Sequence, residues 1–153
     1  DCAMRPRIDH LDITVKDLDR EEVFYDALLP LLGFELTMKA KGDEPAYEYR
    51  AVDYSGAEFS LSLICPRPDF AEETVCRRRP GAVHHLAFGA DSREEVDRVY
   101  AQVKDLPGVT IVSPPKLWAE YTPDYYAFFF KDPDGIKLEV VHFDRRGWFG
   151  GSV

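Results

Sequence analysis

The sequence has no apolar segment close to the roughly 20 residues that a membrane-spanning helix requires. Its first residues also lack the apolar core of a secretory signal peptide. Both absences argue against a protein that enters or crosses a membrane. We therefore expect no membrane partner.

Cysteine is scarce as well. The chain has three cysteines, Cys2, Cys65 and Cys76, and no two of them have Cys-x-x-Cys spacing. An odd number without that spacing argues against a disulfide framework and favours a reducing compartment. We expect a cytoplasmic location.

Positive charge is also in short supply. The chain has 19 Lys and Arg but 28 Asp and Glu, so the net charge is -9 and the pI is about 4.9. Nucleic-acid phosphates and anionic membranes repel such a molecule, which argues against nucleic acid as a partner. Hydrophobic residues make up 45% of the chain, enough for a core. We expect a single domain over residues 1–153, built from one unit or from two small modules.

An internal repeat favours two modules. The tetrad Arg-Glu-Glu-Val occurs at residues 20–23 and again at 93–96, and the pair His-Leu occurs at 10–11 and again at 85–86. The repeat predicts modules over about residues 7–66 and 82–143. A polar, proline-marked linker over residues 67–81 would join them.

Each module is predicted to contain one strand, one helix and three further strands. Capping pairs, Asp19 with Glu22 and Ser92 with Glu95, predict the helix starts. Apolar residues at helical spacing predict the buried stripes, which are Val23, Ala27, Leu28 and Leu31 in the first helix and Val96, Val99, Tyr100 and Val103 in the second. Pro30 should end or kink the first helix, and Gly33 and Gly108 should turn each chain back into strand.

The later strands are predicted from apolar and β-branched segments. They cover residues 34–38, 46–53 and 58–64 in the first module, and 110–112, 125–130 and 136–143 in the second. Gly56 and Gly135 fall in the turns before the closing strands. The fold class is therefore α+β, with two βαβββ modules.

Strand alternation places three side chains with metal-binding chemistry on open sheet faces. Leu11 and Ile13 point to the helix, so His10 points away from it. The same alternation puts His85 opposite Leu86, and Glu139 opposite Leu138. Two imidazoles and a carboxylate suit a divalent ion such as Fe, Mn, Zn, Ni or Co, and leave open coordination positions.

The segments that carry these residues resemble a known superfamily. They are Asp-His-Leu-Asp-Ile-Thr-Val at 9–15, His-His-Leu-Ala-Phe-Gly-Ala at 84–90, and the stretch around Asp-Pro-Asp-Gly at 125–141. Together they resemble the vicinal oxygen chelate superfamily of glyoxalases, bleomycin-resistance proteins and extradiol dioxygenases, over about residues 7–143. The resemblance implies a cupped mixed or antiparallel sheet with helices on its outer face. It also implies a homodimer, and a divalent metal held at positions that match His10, His85 and Glu139.

Glyoxalase-like members have a further Glu or Gln ligand on the last strand of the first module. Here an alignment on Gly56 and Gly135 gives Ser60, whereas an alignment on the proline after the strand gives Ser62. Glu58 shares their strand face, so it is a candidate fourth ligand or catalytic base. All three assignments stay open.

Polar and aromatic residues near the predicted cup are candidates to contact a substrate. The substrate-binding candidates are Tyr49, Arg50, Ser60, Ser62, Trp118, Tyr121 and Tyr126. Tyr47 and Tyr125 are further candidate lining residues, and Arg77, Arg78 and Arg79 could clamp a carboxylate or phosphate. The alternatives are ordinary sheet packing for the aromatics and a solvated loop for the arginines.

The resemblance implies a metal-dependent enzyme that acts on a small substrate through its vicinal oxygens. The reaction would be a lyase or isomerase reaction, or an extradiol-type dioxygenation. Two alternatives stay open: a metal-free drug-binding protein of the bleomycin-resistance kind, and a non-catalytic metal-binding domain. The two histidines and one carboxylate favour the enzyme, because drug sequestration does not need them.

Overall fold

The computed structural model describes residues 3–150, so the prediction for Cys2 lies outside the described residues. Cys65 and Cys76 are both free thiols. The chain divides into two compact units, Asp1–Thr74 and Val75–Val153. The boundary between them falls inside the predicted linker, residues 67–81.

The first unit is one four-stranded sheet with a helix. Its elements are β1 (His10–Thr14), α1 (Leu18–Leu31), β2 (Lys39–Glu44), β3 (Tyr49–Ser55) and β4 (Ser60–Ile64), with short 3-10 turns at Leu36–Met38, Pro45–Tyr47 and Pro68–Phe70. The strand order is β1-β4-β3-β2. Strands β1 and β4 are parallel and the other pairs are antiparallel.

The second unit repeats this arrangement. Its elements are β5 (Leu86–Gly89), α2 (Arg93–Val103), β6 (Thr110–Leu117), β7 (Tyr126–Lys131) and β8 (Lys137–His142), followed by a short helix α3 (Arg145–Phe149). The strand order is β5-β8-β7-β6, with β5 and β8 parallel. The predicted α+β class and the two βαβββ modules are therefore confirmed. Within residues 3–150, no helix combines the length and apolarity that crossing a membrane requires.

Helix α1 differs from its prediction in cap and in phase. Asp17, not Asp19, is the N-cap, and its side chain accepts a hydrogen bond from the Arg20 amide. Val23 is 72% exposed. The buried face consists of Leu18, Glu21, Phe24, Tyr25, Leu28 and Leu29. Residues three and four apart share a helix face, and packing against the sheet selects the face that carries Phe24 and Tyr25.

Helix α2 forms as predicted. Ser92 is its N-cap and accepts from the Glu95 amide, while the Glu95 carboxylate accepts from the Asp91 amide. Val96, Val99 and Val103 are buried. The second helix therefore buries the apolar stripe that its sequence indicates.

Strand predictions in the first unit were wrong around residues 34–48. Residues 36–38 form a 3-10 turn, and β2 begins at Lys39 and is almost wholly exposed. A second turn over Pro45–Tyr47 ends with Glu48 in the left-handed region (φ 52°), which interrupts the predicted strand 46–53. The charged sequence of β2 has no apolar alternation, so pairing with β3 fixes this strand rather than burial of its own side chains.

Strand β6 is longer than predicted and runs to Leu117. It pairs only with β7, and the register shifts twice between Ile111 and Lys116, around Pro114 and Pro115. Proline is tolerated there because an edge strand leaves some backbone amides without a ladder partner.

Candidate functional site

His85 and Glu139 meet on the face of the second sheet that α2 does not cover. Leu86 pairs with Leu138 and Ala87 with Glu139, so β5 and β8 run side by side at this point. His85 lies one residue before β5. Its Nε2 is 3.3 Å from Glu139 Oε1. The parallel pairing of the two strands thus brings together an imidazole and a carboxylate that are 54 positions apart.

The Asp132-Pro133-Asp134-Gly135 turn positions Glu139. The Asp132 side chain accepts a hydrogen bond from the Ile136 amide at 2.9 Å, and the Gly135 amide donates to the Asp132 carbonyl at 2.9 Å. Gly135 has φ +94°, a conformation that favours glycine. This turn ends β7 and fixes the register of β8, which puts Phe129 directly opposite Glu139.

The Glu139 carboxylate is deeply buried, with 1% of its surface exposed. Burial raises its pKa, while the hydrogen bond from the Tyr125 hydroxyl to Oε2 and the charge of Lys137 pull in the opposite direction. Burial and the bond to Glu139 also raise the pKa of the Tyr125 hydroxyl, which keeps that hydroxyl a donor.

The surroundings of His85 favour its neutral form. Burial lowers its pKa, and the positive charges of Lys137 and Arg77 lower it further. Its Nδ1 is 2.9 Å from Nδ1 of the exposed His84. A neutral imidazole keeps a lone pair on one ring nitrogen. This neutral form is the one that binds metal ions.

An aromatic wall adjoins this pair. The Phe129 ring is 6.0 Å from the His85 ring and 5.1 Å from Trp118, edge to face in both cases. Trp118 stacks on Tyr121 at 6.2 Å, and Tyr121 meets Tyr125 at 5.1 Å. Trp118 and Tyr121 were predicted to contact a substrate, and they form part of this wall.

The other predicted tyrosine of this unit faces elsewhere. The Tyr126 hydroxyl donates to Asp97 of α2 at 2.6 Å, and the Arg93 guanidinium lies over its ring at 5.4 Å. Tyr126 therefore lies against the helix, on the face opposite Glu139. His142 is half-buried, and its Nδ1 is 2.8 Å from the Ala90 carbonyl.

In the first unit, His10 opens β1 and pairs with Ser60 of β4. Its side chain is 61% exposed, and Nδ1 is 2.7 Å from Asp9 Oδ1. The hydrogen bond to Asp9 raises the His10 pKa, and the charges of Asp12 and Asp9 add to this. A carboxylate on Nδ1 orients the ring and leaves Nε2 available.

Strand register identifies the counterpart of Glu139 in the first unit. Ala87, two residues after His85, pairs with Glu139, and Asp12, two residues after His10, pairs with Ser62. Ser62 therefore occupies the repeat-equivalent position, and its hydroxyl donates to Asp53 at 2.6 Å. Glu58 precedes β4 and is exposed.

Two further predicted residues lie at the start of β3. Tyr49 is 37% exposed. The Arg50 guanidinium donates to Asp19 at 3.0 Å, and its amide donates to Cys65 Sγ at 3.1 Å. Arg50 and Cys65 line an open cavity of about 530 Å³ within the first unit.

The second-unit pair fits a divalent cation. Donors bound at about 2.0–2.2 Å to one ion lie roughly 3 Å from each other, close to the 3.3 Å between His85 and Glu139. A neutral imidazole and a buried carboxylate also have the donor chemistry that such ions take. No group of three or more His, Cys, Asp or Glu side chains arranged around one point occurs among residues 3–150.

Sequence reasoning missed part of this environment. Lys137 shares the strand parity of Glu139, so alternation alone could have placed it on the same face. The sequence indicates Tyr125 only as a lining residue, although the strand predicted over 125–130 gives it the parity of Phe129; in the structure β7 begins one residue later, at Tyr126. Phe129 was not singled out within its apolar strand.

Comparison with known sequences gives one family and two curated relatives. Residues 7–140 match the Glyoxalase/Bleomycin resistance protein/Dioxygenase superfamily. The chain is 26% identical over 132 residues to Bacillus subtilis YqjT, covering 86% of this chain and 95% of that protein. It is also 26% identical over 144 residues to a 2,2',3-trihydroxybiphenyl dioxygenase of Sphingomonas paucimobilis, covering 94% of this chain and 41% of the dioxygenase. The chain thus spans about two fifths of that enzyme.

Solved structures share the fold. A candidate glyoxalase from Bacillus halodurans is 30% identical with a TM-score of 0.68, covering 89% of this chain and 95% of that chain. A glyoxylase/bleomycin resistance protein/dioxygenase domain from Frankia sp. EAN1pec is 20% identical with a TM-score of 0.73, covering 92% of this chain and all of that chain. The second likeness concerns the fold alone.

Proposed function

Because the chain belongs to the glyoxalase/bleomycin resistance protein/dioxygenase superfamily, we propose that it is a divalent-metal-dependent enzyme. Its substrate is a small molecule that offers two neighbouring oxygens to the metal. The observation that carries this proposal is the His85–Glu139 pair, with 3.3 Å between the donor atoms and a carboxylate that is 1% exposed. A buried carboxylate is costly unless a cation or proton offsets it.

In this proposal His85 and Glu139 are metal ligands, and His10 is the third ligand predicted from the sequence. The metal, when bound, polarises chelated oxygens and stabilises negative charge that develops on them. The candidates remain Fe, Mn, Zn, Ni and Co. The cytoplasmic location and the homodimer belong to the same proposal, and the homodimer has its own test by light scattering.

The protein's own groups prepare this site. Tyr125 donates to Glu139 and holds the carboxylate in one orientation. Phe129, Trp118 and Tyr121 supply flat apolar surface beside it, which favours a substrate with an aromatic or apolar body. Glu58 remains the proposed base or fourth ligand, and an unchanged rate in Glu58→Gln would exclude the base role.

Among the reactions open to the family, we favour extradiol-type dioxygenation. The support is the similarity to the Sphingomonas dioxygenase and the predicted ligand set of two histidines and one carboxylate. Lyase or isomerase chemistry is the alternative. Oxygen uptake by the iron-loaded protein with a catechol separates the two, because only dioxygenation consumes oxygen.

The first test is metal content. Protein prepared without chelators is measured by elemental analysis before and after reconstitution with Fe²⁺, Mn²⁺, Zn²⁺, Ni²⁺ or Co²⁺, beside His10→Ala, His85→Ala and Glu139→Gln. His142→Gln is the matched control, because it replaces an imidazole of the same unit that bonds to a backbone carbonyl.

We expect about one ion per chain in the wild type and in His142→Gln. Affinity should fall at least tenfold in the ligand variants, because each loses one donor. A wild-type protein that binds no divalent ion after reconstitution contradicts the proposal, and the drug-binding function then becomes the better explanation. If His85→Ala and Glu139→Gln lose the ion while His10→Ala binds it fully, His10 is excluded as a ligand.

A further inference from the structure

One nitrogen of the Arg77 guanidinium, Nη1, is buried and has no hydrogen-bond acceptor within the described part of the chain. A buried charged donor without an acceptor is costly, so proteins normally pair such groups. The unpaired nitrogen thus indicates a place where an acceptor from outside the chain would be favourable.

The Arg77 charge acts on three titratable groups of the second unit, His84, His85 and Lys137. Burial lowers the pKa of Lys137, and the charge of Arg77 lowers it further. Arg77 acts in the same direction on His84 and His85, after the effect of burial. Lys137 directly precedes Leu138, which pairs with the residue after His85, and its Nζ is 4.6 Å from the Phe129 ring centroid. The two cations therefore lie beside the His85–Glu139 pair.

Glu139 does not neutralise both cations. One of its oxygens faces His85 at 3.3 Å, and the other accepts the Tyr125 hydroxyl. One carboxylate with both oxygens engaged therefore stands beside two cations. These two positive charges stand beside the pair in a chain whose net charge is -9.

We propose that Arg77 and Lys137 bind an oxyanion group, a carboxylate or a phosphate, of the small molecule that occupies the site. A guanidinium presents parallel N–H donors that match two oxygens of such a group, and an ammonium supplies a second positive charge. As a description of the substrate, this inference rests on the proposed function. As an anion site, it stands without the metal.

The test is a calorimetric titration of the full chain, freed of metal by a chelator and then desalted. Inorganic phosphate and acetate are the two probes, at constant ionic strength. The variants are Arg77→Gln and Lys137→Gln, with Arg78→Gln as the matched control. Arg78 is the next residue, is exposed and carries the same charge, so the control removes one positive charge from the same segment.

We expect saturable binding of at least one probe by the wild type. Affinity should fall at least tenfold in Arg77→Gln and Lys137→Gln and stay within twofold in Arg78→Gln, because only the first two substitutions remove a charged hydrogen-bond donor to the anion. Binding of phosphate alone identifies a phosphate-bearing ligand, and binding of acetate identifies a carboxylate. Absence of saturable binding, or equal losses in Arg77→Gln and Arg78→Gln, overturns the proposal.

Thermal unfolding separates this role from a structural one. Without phosphate, Arg77→Gln should be at least as stable as the wild type, because the substitution removes a partly buried cation whose Nη1 has no partner among residues 3–150. The rise in Tm that phosphate causes in the wild type should be absent from the variant. A lower Tm in phosphate-free buffer would make Arg77 a packing residue and overturn the proposal. Both measurements omit the metal, so they stay informative if the proposed metal site fails its own test.

Discussion

The Tyr125 hydroxyl donates a hydrogen bond to the Glu139 carboxylate and so affects its orientation and its pKa. Replacing it with Phe removes one hydroxyl donor and leaves the ring in the aromatic wall. We expect the pKa of Glu139 to rise further, because a hydrogen bond to the ionised carboxylate lowers that pKa. Affinity for Mn²⁺ should fall about tenfold, the usual effect of losing a partner of a metal ligand.

Tyr126→Phe provides the control, because its hydroxyl bonds to Asp97 on the helix-covered face. Calorimetric titration with Mn²⁺ measures both variants, and the affinity of Tyr126→Phe should equal that of the wild type. Equal affinity in both variants would show that the Tyr125 hydroxyl plays no part in the site.

For single residues, the sequence predicts the sheet face to which a side chain points better than it predicts the groups that the side chain contacts. Strand alternation places Glu139 and His85 on one face, because successive side chains in a strand point to opposite sides. It says nothing of Arg77, which lies in an irregular segment whose direction depends on the whole unit. The joint role of His10 with these residues stays a prediction.

Among the elements, α1 gives a sharp test of packing. Leu28 is fully buried in this helix, whereas Val23 is 72% exposed. Leu28→Ala should lower the free energy of unfolding by about 2–5 kcal/mol, the usual cost of emptying a core site. Val23→Ala should change it by less than about 0.5 kcal/mol. Urea denaturation measures both, and a large loss in Val23→Ala would contradict the observed helix phase.

A charged cluster ties α1 to β2 and makes the first unit sensitive to acid. Lys39 Nζ is 3.1 Å from Glu22 and 2.9 Å from Asp26. Burial raises the pKa of Glu22, but hydrogen bonds from Lys41 and Lys39 outweigh this and hold it below its ordinary value of 4.5. The stabilisation is therefore present above pH 4.5 and is lost as the pH falls through the lowered pKa.

Lys39→Gln should accordingly be less stable than the wild type at pH 6, and the difference should shrink as the pH falls toward 3. Denaturant unfolding at several pH values measures this. Lys104→Gln, which removes the same charge at the end of α2, should show a difference that does not depend on pH in this range. If the difference in stability between the wild type and Lys39→Gln widens in acid, the stabilising role given to the Lys39–Glu22 ion pair is contradicted.

The two helices show when the sequence pattern is enough to predict which face of a helix is buried. Helix α2 has one apolar stripe between a serine cap and a polar surface, so only one phase buries its valines. Helix α1 has apolar residues at 23, 24, 25, 27, 28 and 29, and more than one phase fits them. Tertiary packing chooses the face with Phe24 and Tyr25. Strand β2, charged and exposed, offers no pattern at all.

For the whole molecule, the repeat predicts the architecture because both halves carry the same order of patterns. Each sheet ends in two edge strands, β1 and β2 in one unit and β5 and β6 in the other. Edge strands present unpaired backbone groups that another chain can use. We therefore keep the homodimer as a prediction: light scattering should give about twice the chain mass of 17.5 kDa. A mass equal to one chain at micromolar concentration would exclude it.

The aromatic wall has an optical consequence. Trp118 lies 5.1 Å from Phe129, the ring opposite Glu139, whereas Trp148, in α3, donates to Asp124 and is half exposed. In a Trp148→Phe background, fluorescence would come from Trp118 alone. Open-shell ions such as Mn²⁺ or Ni²⁺ quench a nearby indole, and closed-shell Zn²⁺ does not. The protein thus contains its own spectroscopic reporter for what occupies the site.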